Sequence, residues 1–142
     1  MNVAYINPFI TSTVETFKMM TGAQVRAGKP RAKSEPAPSY DVSGIIGLSG
    51  NAQGSIALSF PKIMALKVVS KLLGTPVKVV GPELIDGVGE LANIIAGNAK
   101  QHLNGLDLSI SLPNVVVGND HIIGNKSGIP TIVVPFGSDV GD

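Results

Sequence analysis

Asp86-Gly87-Val88-Gly89-Glu90-Leu91-Ala92-Asn93 is the stretch on which the reading of this chain turns. Helical residues three and four apart are neighbours, so Asp86, Glu90 and Asn93 fall on one stripe. That stripe runs on through Gly97, Lys100 and Asn104, with Gln101 at its edge, and is polar throughout. The opposite arc gathers Leu84, Ile85, Val88, Leu91, Ala92, Ile95, Ala96, Ala99 and Leu103, a wide apolar face that belongs against a core. The helix is therefore half buried, with Glu90 and Asn93 looking outward. A solvated helix face is the plain reading of such a stripe, and two features oppose it. Asn is disfavoured inside helices because its amide competes for backbone groups. Gly87, Gly89 and Gly97 each cost about 1 kcal/mol relative to alanine. Gly97, one turn beyond Asn93, leaves a flat approach for another molecule, so the stripe reads as a docking surface with two projecting polar groups.

Working outward, this helix begins at Pro82 and is expected to end at Asn104-Gly105, about 33 Å at 1.5 Å per residue. Two others carry the same punctuation, proline at the first turn and glycine just past the end. One runs from Pro8 to about Thr21, before Gly22, with Ile10, Val14, Phe17 and Met20 at helical spacing. The other starts at Pro61, carries Ile63, Met64, Leu66, Val69, Leu72 and Leu73, and closes at Gly74 and Pro76. Between them, Ala23 to Ala27 reads as a strand and Gly28 to Ser39 as a loop or irregular edge. Val42 to Leu48 and Ser55 to Phe60 flank the turn-forming Ser49-Gly50-Asn51-Ala52-Gln53-Gly54 and form a hairpin. That turn is no phosphate cradle, because it lacks a Lys-Ser/Thr ending and leads into a strand. Leu106 to Leu112 alternates and Val115 to Val117 continues it, with Pro113 marking a bulge or an edge. Short strands follow around His121 to Ile123 and Thr131 to Phe136. Helix, strands, two helices, strands: the order implies one α+β domain over residues 1–142, a mostly antiparallel sheet packed by three helices.

Charged residues make up only 15% of the chain against 44% hydrophobic, so part of the surface is expected to meet a partner or a second copy. A net charge of +1 gives no reason to invoke nucleic acid, and Arg26, Lys29, Arg31 and Lys33 lie in a Pro-containing stretch without interleaved aromatics. No Cys is present, which excludes a thiol nucleophile, disulfides and cysteine-ligated metals. No apolar run approaches the ~18 residues of a membrane span and the N-terminus has no leader pattern, so a cytoplasmic location is expected.

Self-contained catalysis is hard to build from these residues. His102 and His121 show no metal-ligand spacing, and His102 falls near the apolar arc of the long helix, where a partly buried, satisfied histidine is expected. No Gly-x-Ser-x-Gly or Ser-x-x-Lys motif activates a serine. Glu90 and Asn93 remain, and they suffice if a partner supplies the rest of the site. Phosphoryl transfer asks the protein mostly for positioning and electrostatics. A carboxamide whose oxygen accepts a hydrogen bond from water aims that water's lone pair without a base of tuned pKa.

Asp86-x-x-x-Glu90-x-x-Asn93, followed after nineteen intervening residues by Pro113 in Leu108-Ser109-Ile110-Ser111-Leu112-Pro113-Asn114-Val115-Val116-Val117-Gly118, resembles the motif of the CheC, CheX and FliY chemotaxis phosphatases. Asn7-Pro8-Phe9-Ile10 and Asp41-Val42-Ser43-Gly44-Ile45-Ile46-Gly47 are similar to the family's opening. The resemblance implies hydrolysis of the aspartyl phosphate of a CheY-like response regulator. It implies that Glu90 pairs with the receiver's phosphate-binding lysine and Asn93 orients the attacking water. Asp86, Gly97 and Pro113 are then supporting residues, with Asp86 favouring the helix dipole near its start. This chain needs no cofactor or metal, since Mg²⁺ is expected on the acidic residues of the receiver. Members with two active helices repeat the motif in the first; here Thr11-x-x-x-Glu15-x-x-Lys18 has lysine where Asn is required, so that copy is dead. A single motif is similar to the CheX branch, which implies a homodimer; from charge and the lack of a long apolar run, neither nucleic acid nor a membrane is expected as a partner. The alternative is a non-catalytic receiver-binding or adaptor module on the same fold.

Overall fold

The computed structural model describes residues 3–22, 24–28, 31–33, 41–50, 54–103, 108–118, 131–134 and 136–138. Helices α1 (Val3–Thr21), α2 (Lys62–Leu73) and α3 (Pro82–Gln101) pack with strands β1 (Val25–Ala27), β2 (Arg31–Lys33), β3 (Val42–Gly50), β4 (Gly54–Phe60), β5 (Leu108–Ile110), β6 (Asn114–Val117), β7 (Thr131–Val133) and β8 (Phe136–Ser138). Every described strand pairing is antiparallel, as the expected α+β class requires. The strand expected around His121 falls outside the described residues, as does the middle of the expected turn, residues 51–53.

Strand β3 is the spine of the main sheet. It pairs with β4 on one edge, from Val42↔Phe60 to Leu48↔Gly54, and with β5 and β6 in succession on the other. Ile45 faces Asn114 and Leu48 faces Ile110, so two residues of β3, Ile46 and Gly47, stand opposite three, Ser111, Leu112 and Pro113. That one extra residue is a β-bulge, and it falls at the proline, which has no N–H for the ladder. Ser111 holds it: its N–H donates to the Gly47 carbonyl at 3.0 Å and its Oγ accepts from the Gly47 N–H at 2.9 Å. Elsewhere β1 pairs with β8 and β2 with β7. Arg31 to Lys33, read from sequence within a loop or irregular edge, is thus a strand, because its partner lies a hundred residues further on.

Helix α3 lies at the centre, touching α1, α2 and the sheet. Leu84, Val88, Leu91 and Ile95 are buried in one cluster with Phe17, Val42, Phe60 and α2's Met64, Val68 and Val69, while Ala92 and Ala96 bury against Ile46. Burying a side chain such as Leu or Val contributes about 1.5–3 kcal/mol. Close approach to the sheet depends on Gly44, whose missing Cβ would stand 3.1 Å from the Ala92 Cβ. Ser12 of α1 donates a buried 2.8 Å bond to the Ile95 carbonyl, tying α1 to α3.

Helix ends show where sequence punctuation holds. Pro61 is the N-cap of α2, Gly74 closes it at φ 72°, and the Lys62 N–H is capped by Asp41 Oδ2 at 2.9 Å from across the chain. Pro82 opens α3 as expected. Helix α1, however, starts at Val3, so Pro8 sits inside it; the missing proline N–H removes one bond to the Ala4 carbonyl without ending the helix. Helix α3 ends at Gln101, short of Asn104-Gly105, which lie outside the described residues. The His102 N–H donates to the Ala99 carbonyl and the Leu103 N–H to the Lys100 carbonyl, three-residue bonds that tighten the last turn. His102 is consequently exposed, contrary to its expected partial burial, and Leu103 enters the core instead.

Candidate functional site

The polar stripe of α3 is where the helical wheel puts it. Asp86 and Glu90 are exposed, and Asn93 and Gly97 are half-buried. The side chains of Asp86, Glu90 and Asn93 make no hydrogen bond or ion pair with any described residue. A half-buried carboxamide without an internal partner keeps both its donors and its acceptor for another molecule. Around Gly97 a Cβ would meet nothing within 4 Å, so the flat approach expected one turn beyond Asn93 is open.

The two flanks of the stripe differ. On the Asn93 side, Gly89 is buried beneath the bulge: a Cβ there would lie 3.4 Å from Pro113 Cγ and 3.5 Å from Val115 Cγ2. Pro113 is thereby brought against the turn that carries Glu90, which the sequence distance alone does not reveal. On the Glu90 side, α2 closes in at Gly87, where a Cβ would stand 2.6 Å from Val69 Cγ1. Beyond that crossing lies a surface depression of about 500 Å³ lined by Leu72, Leu73, Glu83, Asp86, Gly87 and Glu90. Sequence reading missed Leu72, Leu73 and Glu83 as neighbours of the stripe; the available signal was Gly87, a helix-breaking residue on the side that meets α2.

In α1, Glu15 and Lys18 are exposed, whereas Ser12 and Thr16 are buried. No group of three or more His, Cys, Asp or Glu among the described residues is arranged to hold a metal ion. Among the same residues, no helix is long and apolar enough to cross a membrane. What the site offers is an exposed carboxylate and a carboxamide without a partner among the described residues, on a central helix beside open surface. The depression that borders this stripe among the described residues is open to the surface.

Comparison with known proteins names the group to which this fold and stripe belong. The chemotaxis phosphatase CheX family matches residues 42–137, and the chain belongs to that family. Over 123 residues it is 33% identical to the CheY-P phosphatase CheX of Thermotoga maritima, covering 84% of this chain and 79% of that protein. A CheC-like superfamily protein from Shewanella sp. PV-4 has the same fold at a TM-score of 0.91, with 37% identity over 99% of this chain and 94% of that one. The CheX–CheY–BeF₃–Mg²⁺ complex from Borrelia burgdorferi is similar at a TM-score of 0.79, with 32% identity over 96% of this chain and 91% of that one.

Proposed function

We propose that this chain is a phosphatase of a CheY-type response regulator and removes the phosphoryl group from the receiver's aspartate. Asn93 carries the reading. Its carboxamide has no described partner, stands one turn from the exposed Glu90 carboxylate, and rides on a helix whose other face is core. In the docked complex Glu90 pairs with the receiver's phosphate-binding lysine, which draws that cation into the contact and fixes the approach. The Asn93 oxygen accepts a hydrogen bond from a water and aims it at phosphorus, while the Asn93 NH₂ donates to a neighbouring oxygen. As the water oxygen bonds to phosphorus, the bond to the aspartyl oxygen breaks, leaving a free carboxylate and inorganic phosphate. Orientation of this kind lowers the barrier without a titrating base. The Mg²⁺ that balances the phosphoryl charge is assigned to the receiver in this reading. The named complex from Borrelia burgdorferi, which includes CheY and Mg²⁺, supports that division of labour. Pro113 supports the turn from beneath Gly89, and Asp86 favours the helix dipole near the start of α3. The substrate is a cytoplasmic signalling protein, so we place this chain in the same compartment. We also read it as a homodimer, because the outer edge of β4 has no described strand on it.

Phosphate release from a phosphorylated receiver tests the assignment. Asn93→Ala should cut turnover by two or more powers of ten, about 3 kcal/mol of transition-state stabilisation, while leaving receiver affinity largely intact. Glu90→Ala should weaken affinity as well, because it removes a charge facing a lysine in a desolvated contact. Wild-type protein that binds the phosphorylated receiver without speeding its dephosphorylation would establish the adaptor reading instead.

A further inference from the structure

The depression beside Glu90 has a built cause. Helices α2 and α3 cross at Gly87, where the absent Cβ lets both γ-methyls of Val69 within 3 Å of the position it would occupy. That close crossing carries the C-terminal turn of α2 alongside the first two turns of α3. Leu72 and Leu73 form the α2 wall, and Leu73 is 46% exposed. Glu83, Asp86 and Glu90 form the α3 wall, and none of them has an ion-pair partner among the described residues. An exposed leucine facing uncompensated carboxylates is suited to an apolar side chain flanked by cations. The other flank of the stripe is filled by Pro113 and Val115.

We infer that this depression is a specificity subsite for the receiver, taking an apolar residue bordered by lysine or arginine on the receiver surface beside the lysine that Glu90 meets. The inference rests on the phosphatase reading of Glu90 and Asn93. Continuity argues for the receiver as occupant: Glu90 belongs both to the reactive stripe and to the wall of the depression, so a protein docked on one covers the other. Asn93 and Gly97 accept any receiver that presents an aspartyl phosphate. The Leu73–Glu83 side is where one receiver is told from another.

Leu73→Ser and Glu83→Lys alter the subsite without touching Glu90 or Asn93, and both positions are exposed. The experiment measures Kd for a beryllofluoride-loaded CheY-type receiver from the same organism, and KM and kcat for its phosphorylated form. Each variant should raise Kd and KM about tenfold with kcat unchanged, the pattern of lost uniform binding. Glu83→Lys should also flatten the salt dependence of Kd, and Glu83→Gln should fall between it and wild type. Unchanged Kd and KM in both variants would overturn the inference, as would a fall in kcat at constant KM. So would variants that shift the self-association of this chain while leaving receiver affinity alone, since the depression would then belong to a second copy. A wild-type chain that binds the loaded receiver but does not turn it over removes only the phosphatase reading, because Kd still reports on the subsite. A wild-type chain that binds none of its organism's receivers overturns both.

Discussion

Two glycines of the same helix, ten residues apart, should respond to the same substitution with opposite sign. In an open helix interior, Gly→Ala stabilises by about 1 kcal/mol, because alanine loses less backbone freedom on folding. Gly97 meets that condition: its Cβ would touch nothing within 4 Å. Gly97→Ala should therefore raise stability by about 1 kcal/mol, roughly 3–5 °C in Tm for a domain of this size. At Gly87 the same methyl would stand 2.6 Å, 2.9 Å and 3.3 Å from Val69 Cγ1, Cγ2 and Cβ. A β-branched side chain in a helix has one strongly preferred rotamer, so turning Val69 exchanges one clash for another and the helices must separate. Overpacking costs about 1–3 kcal/mol, which outweighs the propensity gain, so Gly87→Ala should destabilise by about 1–2 kcal/mol. Urea unfolding of the two single variants, and of Gly87→Ala combined with Val69→Ala, reads these terms directly. The double variant should show a coupling of about 1 kcal/mol or more, since the smaller residue removes what the new methyl strikes. Gly87→Ala as stable as Gly97→Ala would refute the close crossing. Function should separate the pair again: Gly97→Ala, though more stable, should dephosphorylate its receiver more slowly, because the methyl stands on the approach surface.

Asp41→Ala should lower stability by about 1 kcal/mol in thermal unfolding through loss of the cap on the Lys62 N–H, with turnover unaffected. Sedimentation at micromolar concentration should give twice the chain mass, and a monomer there would count against the reading of the open β4 edge.

The parts of the fold legible in the sequence are those written locally. Pro61 with Gly74, Pro82, and the two runs flanking the glycine-rich turn place α2, the start of α3 and the β3–β4 hairpin, because caps and alternation act within a few residues. Pro113 as a bulge was legible for the same reason. The start of α1 was misplaced because proline is a cost, not a prohibition, once the rest of the helix packs. Strand β2 was missed because Arg31 and Lys33 look like solvated loop residues until Val133 and Thr131 are opposite them. The polar stripe was visible on a wheel, since Asp86, Glu90 and Asn93 belong to one element. Its borders were not: the contact of Pro113 with Gly89 and the wall of Leu72 and Leu73 depend on how separate elements cross.

Glu90 and Asn93 ride on the element that makes contact with α1, α2 and the sheet at once. A local opening that loosened α3 would have to unseat Leu84, Val88 and Leu91 together, so the backbone amides of this helix should exchange with solvent only when the whole domain unfolds. The two groups proposed to react should therefore belong to the last part of the molecule to melt, the reverse of the mobile lids and loops that carry many enzyme sites. Docking then has little backbone entropy to remove on this side of the interface, and any ordering on binding falls to the receiver. On the proposed reading, control of the reaction then falls on whether the two proteins meet, because this chain carries its half of the proposed site on a core helix.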